Sequence, residues 1–422
     1  MRARTTATLA ALTIVTLTGS ALAVSPALAA PAAATAASVT ADGLTTPAGF
    51  VPMSPTRVLD TRTDLTPYHS PRTPLGPGEQ YSAVVVGNTS DLIPHEATAV
   101  VLNVTATNPT ATGFLALGAP NVPGSAPSTS SLNFKAGQTV SNLVTVPLSQ
   151  DSVRPATTIF NSAGTTDVVL DVVGYYLPGA PAKYAPTAPV RVGDTRTDNV
   201  RFGPGTVRSY RVAQPDLGTA DARAVVLNVT AVNGTAPSFL TAFPSGSPRP
   251  AQGSNVNFPA GRTVGNQVVV PVGPDGEVSI YNNAGSVDVV VDVVGSYGPS
   301  GKGLFSALKV PVRSLDTRVT GGKLLPMLAR EVGAVPVDGS VPNVMGVEAN
   351  ITATDVLDYG HLTVFRGPGS APNTSTVNVE PGQTVANSAT TPVTVDGTYS
   401  VFNHDPAPLN LIADVTGYFV TG

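Results

Sequence analysis

Hydrophobic and polar positions along this chain alternate with a period of two. Between Val100 and Thr107, Leu102, Val104 and Ala106 fall on one side and Asn103, Thr105 and Thr107 on the other, as in a strand with one covered face. Phe114–Leu117, Ser131–Phe134, Leu143–Leu148, Thr157–Phe160 and Val168–Val173 are short, rich in Val, Thr and Phe, and bounded by Gly, Pro, Asn or Asp, which predicts further strands. No segment of ten or more residues carries a 3.6-residue apolar stripe. Short strands with turn signals every ~8–12 residues imply an all-β sandwich or barrel.

The pattern recurs three times. Each copy opens on Asp-Thr-Arg (Asp60–Arg62, Asp194–Arg196, Asp316–Arg318) and continues into a strand centred on Asn103, Asn228 or Asn350. Each then turns at Gly137, Gly261 or Gly382 and closes on Asp171-Val-Val-Gly174, Asp292-Val-Val-Gly295 or Asp414-Val-Thr-Gly417. The central Asn lies 34, 33 and 32 residues before the turn glycine, and the closing Asp lies 34, 31 and 32 residues after it. One tertiary unit of about 120 residues is therefore copied three times, too long for a solenoid repeat. The expected architecture is three tandem β-sandwich domains, jelly-roll or immunoglobulin-like, spanning residues 51–178, 184–298 and 305–422. These read as beads with separate cores, joined by short linkers at Pro178–Lys183 and Gly298–Gly303. Arg62 lies 41 residues from Asn103, whereas Arg196–Asn228 and Arg318–Asn350 each span 32. The nine extra residues of the first copy sit in the loop carrying Tyr68, His69 and Arg72, the candidate binding residues, because variable loops on a rigid frame carry specificity.

The amino terminus reads as an address. Arg2 and Arg4 precede an apolar run around Leu9–Val15, then Ala21-Leu22-Ala23 and Ala27-Leu28-Ala29. This is a secretory signal peptide over residues 1–29, with cleavage after Ala29 or, second, after Ala23. Residues 30–50 follow as a disordered Ala/Thr/Pro linker. No later segment is long and apolar enough for a spanning helix, and no anchor signal closes the chain, so a secreted product is expected, either released or held non-covalently at the cell wall.

Composition narrows the chemistry. Charged residues are 12% of 422 and the net charge is −4, against a typical charged share of ~25%, and no basic block exists to track nucleic acid. There is no Cys, which removes disulfides, thiolate catalysis and Cys-held metals. The four His (His69, His95, His361, His404) do not recur between copies and form no zinc-hydrolase pattern. No Gly-x-Ser-x-Gly elbow is present. Neither a cofactor nor a catalytic group is expected.

The recurring polar residues admit two readings. Asp60-Thr61-Arg62 differs from the Asp-Thr-Gly of aspartic proteases by a bulky cation where substrate must approach. Structurally, Arg62, Arg196 and Arg318 would each cross to a carboxylate such as Asp171, Asp292 or Asp414 and lock the repeat's ends together; otherwise they contact a ligand. Asp167 and Asp171, repeated as Asp288 and Asp292, share a strand face and are either a satisfied polar pair or part of a calcium site. Asn103, Asn142, Asn228, Asn266, Asn350 and Asn387, with Asn133 and Asn161 and their counterparts, either hold backbone groups or bind sugar hydroxyls. Trp, the best stacking platform for a sugar, is absent.

Taken together, Arg57-Val-Leu-Asp-Thr-Arg62, Leu102-Asn-Val-Thr-Ala-Thr107, Gly137-Gln-Thr-Val-Ser-Asn142 and Asp171-Val-Val-Gly-Tyr-Tyr176 resemble a tandem β-repeat of secreted actinobacterial proteins, found alone or beside peptidoglycan hydrolases and peptidases. The resemblance covers nearly all of residues 51–422 and implies an accessory extracellular module with no catalytic residues. The third copy departs from it, with Glu348-Ala349 for Val-Leu and Ser388-Ala389-Thr390-Thr391 for an apolar strand. The expected function is non-catalytic binding or decoration of the cell envelope, cell-wall glycan or another extracellular polymer. A structural spacer or self-assembling subunit is the second reading, and a glycan or peptide hydrolase the third.

Overall fold

The computed structural model describes residues 43–63, 72–85, 93–118, 129–148, 156–336 and 339–421. The expected signal peptide, most of the expected linker, and Tyr68 and His69 lie outside the described residues. The linker's last residues, expected to be disordered, are ordered instead: Leu44 and Ala48 bridge to Leu308 and Phe305 of the third repeat, and Ala48 and Phe50 are buried.

Among the described residues every repeat has eight strands. In the first, β1 (Gly49–Asp60), β8 (Asp167–Leu177), β3 (Ala99–Thr107) and β6 (Val140–Pro147) form one antiparallel sheet in that order. Strands β2 (Gln80–Val84), β7 (Ala156–Asn161), β4 (Gly113–Gly118) and β5 (Leu132–Phe134) form the facing sheet. Chain order against sheet order is that of a jelly roll, which decides between the two sandwiches expected from sequence. The second repeat runs from β9 (Lys183–Asp194) to β16 (Asp288–Gly298), through β11 (Ala224–Val232), β12 (Ser238–Pro244), β14 (Thr263–Pro271) and β15 (Glu277–Asn282), in the same sheet orders. The third runs from β17 (Gly303–Asp316) to β24 (Asn410–Thr421), through β19 (Val344–Thr354), β20 (Gly360–Phe365), β22 (Val385–Pro392) and β23 (Thr398–Asn403). Two short helical turns, α1 (Thr195–Asp198) and a 3-10 turn at Pro215–Leu217, interrupt the second repeat.

Alternation does not mark β1, because Pro52 and Pro55 interrupt it. The strand forms regardless, with its pairing to β8 broken between Pro52 and Thr56, and it lies at the sheet edge, where a missing N–H is tolerated.

Three cores fill the three sandwiches, one of them around Leu102, Val104, Leu115, Ile159 and Leu170. A fourth core joins Val101, Leu143 and Val173 of the first repeat to Val226, Val269 and Val294 of the second and Phe305 and Phe419 of the third. Each repeat thus has the core of its own that the spacing implies, and the repeats are in addition joined through a shared centre. All nine residues of β3 are buried, so the face carrying Asn103 and Thr105, which alternation alone assigns to solvent, faces a neighbouring repeat instead.

Six aromatic rings form the middle of that centre, two per repeat. Phe50 meets Tyr297 of the second repeat at 4.3 Å, Tyr184 stacks on Phe419 of the third at 4.1 Å, and Phe305 stacks on Tyr176 of the first at 4.4 Å. The contacts run first to second, second to third and third to first, a cyclic arrangement. The closing glycine of each repeat makes room for it. A Cβ on Gly295 would lie 2.7 Å from a Tyr184 ring carbon, and at Gly174 and Gly417 the Phe50 and Phe305 rings come closer still. The Tyr176 and Tyr297 hydroxyls hydrogen-bond to each other at 2.7 Å, so these two buried phenols satisfy one another.

Candidate functional site

The Asp-Thr-Arg element ends β1, where it turns away from β8. Arg57, five residues before Arg62, makes the cross-strand link: its Nε and Nη2 donate to the two oxygens of Asp171 at 2.8 and 3.2 Å, and Nη1 donates to Asp60 at 3.1 Å. Arg62 folds back on Asp60 of its own motif, donating at 2.8 Å to both oxygens. The expected Arg62–Asp171 bridge is thus corrected, because two residues of separation let Arg62 reach Asp60 while the cross-strand register pairs Arg57 with Asp171. The second and third repeats repeat the chain through Arg191–Asp292, Arg191–Asp194 and Arg196–Asp194, and through Arg313–Asp414, Arg313–Asp316 and Arg318–Asp316.

Burial pulls against ionisation of Asp60, but hydrogen bonds from Arg62 and the nearby guanidinium charges hold its carboxyl below the usual range. Hydrogen bonds from Arg196 and Arg318 do the same for Asp194 and Asp316. For Asp292 and Asp414, deeper in the seams, desolvation outweighs the paired arginine and raises the pKa. Arg57→Ala should cost about 3 kcal/mol or more by stranding Asp171 inside, whereas Arg62→Ala, whose side chain is 42% exposed, should cost about 1 kcal/mol or less. Urea titration of both variants checks the contrast, and equal losses would contradict it.

Asp167 does not point to an ion. Its oxygens accept from the Thr61 hydroxyl at 2.9 Å and the Asn108 amide at 3.0 Å. In the third repeat the chemistry is reversed: Asn410 accepts from Thr317 and donates to Asp355 at 2.6 Å. Asp288 takes Thr195 and Arg201. Among the described residues no group of three or more His, Asp and Glu is placed to hold a metal ion.

The recurring asparagines bind backbone. Asn142, Asn266 and Asn387 donate to the carbonyls of Ser131, Asn255 and Thr376, each within its own repeat, at 2.7, 2.7 and 2.6 Å. Asn161 donates to Leu75, Gly76 and Gly164, and Asn282 and Asn403 hold the matching turns. Asn103 and Asn350 cross between repeats, donating to the carbonyls of Ser254 at 2.7 Å and Ser130 at 2.6 Å. Asn228, their counterpart, is buried on β11, which forms one wall of the seam between the second and third repeats.

The odd residues of the third copy face the centre. Glu348 stands where the other copies have Val101 and Val226, is 3% exposed, and accepts from Thr145 of the first repeat at 3.0 Å. Desolvation pushes its pKa up to about 7. Gln267 donates to Thr390 at 2.8 Å and accepts from the Thr390 N–H at 2.9 Å, and the Ser388 N–H donates to Asn142. Sequence reasoning notices these departures but has no partner for them, since each partner lies in a different copy.

Arg72 is exposed beside the first-copy insertion; Tyr68 and His69 fall outside the described residues. His361 and His404 stack at 4.2 Å. No helix among the described residues is long and apolar enough to cross a membrane.

These elements define an all-β protein of jelly-roll sandwiches. No family model matches the chain, and no curated protein matches it. A solved structure described as "The Triple Jelly Roll Fold and Turret Assembly in an Archaeal Virus" is similar over 89% of this chain and 90% of its own, at 9% identity and a TM-score of 0.17. That likeness carries no functional argument.

Proposed function

We propose that this is a secreted, non-catalytic module that holds an extracellular polymer, cell-wall glycan being the first choice, on a rigid body of three joined jelly rolls. The observation that carries the reading is the use of the repeated polar residues. The recurring Asp and Arg of all three copies and most of the recurring Asn are taken up by ion pairs and hydrogen bonds within and between repeats, and the contacts left to a ligand are in the loops and seams. A hydrolase would need those carboxylates free to exchange protons with substrate, and their arginines hold them. Mature protein from Ala30 onward should sediment with purified peptidoglycan sacculi and stay bound as salt is raised. Protein left in the supernatant at every salt concentration would end the wall-binding reading.

A second reading, a self-associating surface subunit, draws on one feature: Val319, Leu325, Met327, Leu328, Leu357 and Val395 are all more than half exposed in the third repeat. Sedimentation velocity across a concentration series separates a stable monomer from an assembling subunit.

A further inference from the structure

The three seams are built from equivalent strands, yet one is open. Between the first and second repeats, Asn103 reaches the Ser254 carbonyl, Ser141 donates to the Asn255 carbonyl at 2.8 Å, and Asn257 donates to Ser141 at 3.2 Å. Between the third and first, Asn350 reaches Ser130, and what remains is a cavity of about 20 Å³. Between the second and third lies a cavity of about 400 Å³. Two substitutions accompany the opening. Gly265 occupies the position of Ser141 and has no hydroxyl to reach across, and His361 stands where the strand registers place Phe114 and Phe239. Where the cavity lies, the hydroxyls of Thr230 and Ser375 are 3.5 Å apart across the seam, at the limit of a hydrogen bond.

The walls are polar and their charges are already paired. Arg191 and Arg196 line the cavity, but each is bound to carboxylates behind it, Asp292 and Asp194. Glu380 on the opposite wall pairs with Arg262 at 3.1 Å. Burial lowers the His361 pKa to about 4, so its ring is neutral at neutral pH. A phosphate would meet arginines already neutralised by carboxylates, and a cation would find one paired glutamate. Left over are hydroxyls and amides: Thr230, Thr263, Ser375, Asn373 and Asn378. At the rim Tyr359 is 58% exposed, and Arg262 donates to its hydroxyl at 3.1 Å across the seam, giving the ring a fixed position. A flat ring beside clustered hydroxyls and amides suits a ligand with one apolar and several polar faces.

We infer that the seam between the second and third repeats is a binding site for a short stretch of neutral oligosaccharide, with Tyr359 as its stacking platform and Asn373, Asn378 and Ser375 as its hydrogen-bonding wall. The inference rests on the polymer-holding reading above and names where the polymer binds. The cavity lies within the ~300–1,000 Å³ of ordinary small-ligand sites, room for a few atoms of chain from each of one or two sugar rings.

The test is ligand-observed NMR and calorimetry on the mature protein with cellotetraose, tetra-N-acetylchitotetraose and maltotetraose, with inorganic phosphate as the charged alternative. At least one sugar should bind and phosphate should not. Tyr359→Ala, which removes the platform, and Asn373→Trp, which fills the cavity from an exposed position, should each weaken sugar binding tenfold or more, about 1.4 kcal/mol, with unchanged thermal midpoints. Three results would overturn the assignment: no sugar binding at millimolar concentration, sugar binding unaltered in both variants, or phosphate binding that both variants abolish. Sedimentation with sacculi separates the two claims. If both variants still sediment like wild type, polymer binding stands and this seam is not its site. If wild type binds a sugar here but never sediments with sacculi, the site stands and wall glycan is the wrong polymer.

Discussion

Phe305→Ala will destabilise all three repeats together. The side chain is fully buried, stacked on Tyr176 of the first repeat and 5.0 Å from the Phe419 ring, and truncating such a phenylalanine costs about 3–5 kcal/mol. What distinguishes the shared centre from three beads is where that loss appears. If the six rings tie the repeats into one cooperative unit, the native protein melts in a single calorimetric transition and the variant shifts it whole. Three resolved transitions, with only the third moved by the substitution, would show that the repeats unfold independently. Enlarging Gly295 to Val probes the same point from the other side, because its Cβ would meet the Tyr184 ring at 2.7 Å; overpacking of this kind typically costs about 1–3 kcal/mol.

The second large effect depends on pH. Burial raises the folded-state pKa of Glu348 from 4.5 to about 7. Below 4.5 the side chain is protonated whether the chain is folded or not. Between 4.5 and 7 the folded protein keeps a proton that the unfolded chain has released, so this group's contribution to stability falls as pH rises and levels off above about 7. At about 1.4 kcal/mol per pKa unit the total is on the order of 3 kcal/mol. His361 works in the opposite direction. Its lowered pKa makes it lose stability as pH falls from 6.5 toward about 4, so the wild-type curve alone mixes the two. Glu348→Gln keeps an acceptor for Thr145 and removes the titration. The variant should therefore match wild type near pH 4.5 and exceed it by about 3 kcal/mol at pH 8. A difference that stays flat across that range would mean the carboxyl is solvated rather than buried.

Repetition and alternation made the strand content and the three-copy organisation legible, because a period of two and a fixed spacing are local properties. The structural roles of Asp60, Asp171 and the asparagines were also within reach, as types of residue that satisfy backbone or pair with arginine. Their partners were not. Arg62 and Arg57 are both near Asp60 in sequence, and only the pairing of β1 with β8 shows that Arg57 holds Asp171. The closing Gly-Tyr-Tyr of the first copy was visible as a motif, while its purpose, space for a ring from the same repeat and a stacking partner in the third, depends on contacts between residues more than 100 positions apart.

From the sequence alone it follows that residues 51–422 are built of β-strands in three copies of one unit, each able to close a core of its own. Tertiary structure decided that each unit is a jelly roll, that the second faces of the inner strands meet in a fourth core, and that Glu348, Gln267 and Ser388 complement other copies. It also decided that one seam of three stays open. The physical reason is that a strand's alternation records only that two faces differ. Whether the polar face meets water or a neighbouring sheet depends on what packs against it, and here the packing partner is another copy of the same repeat.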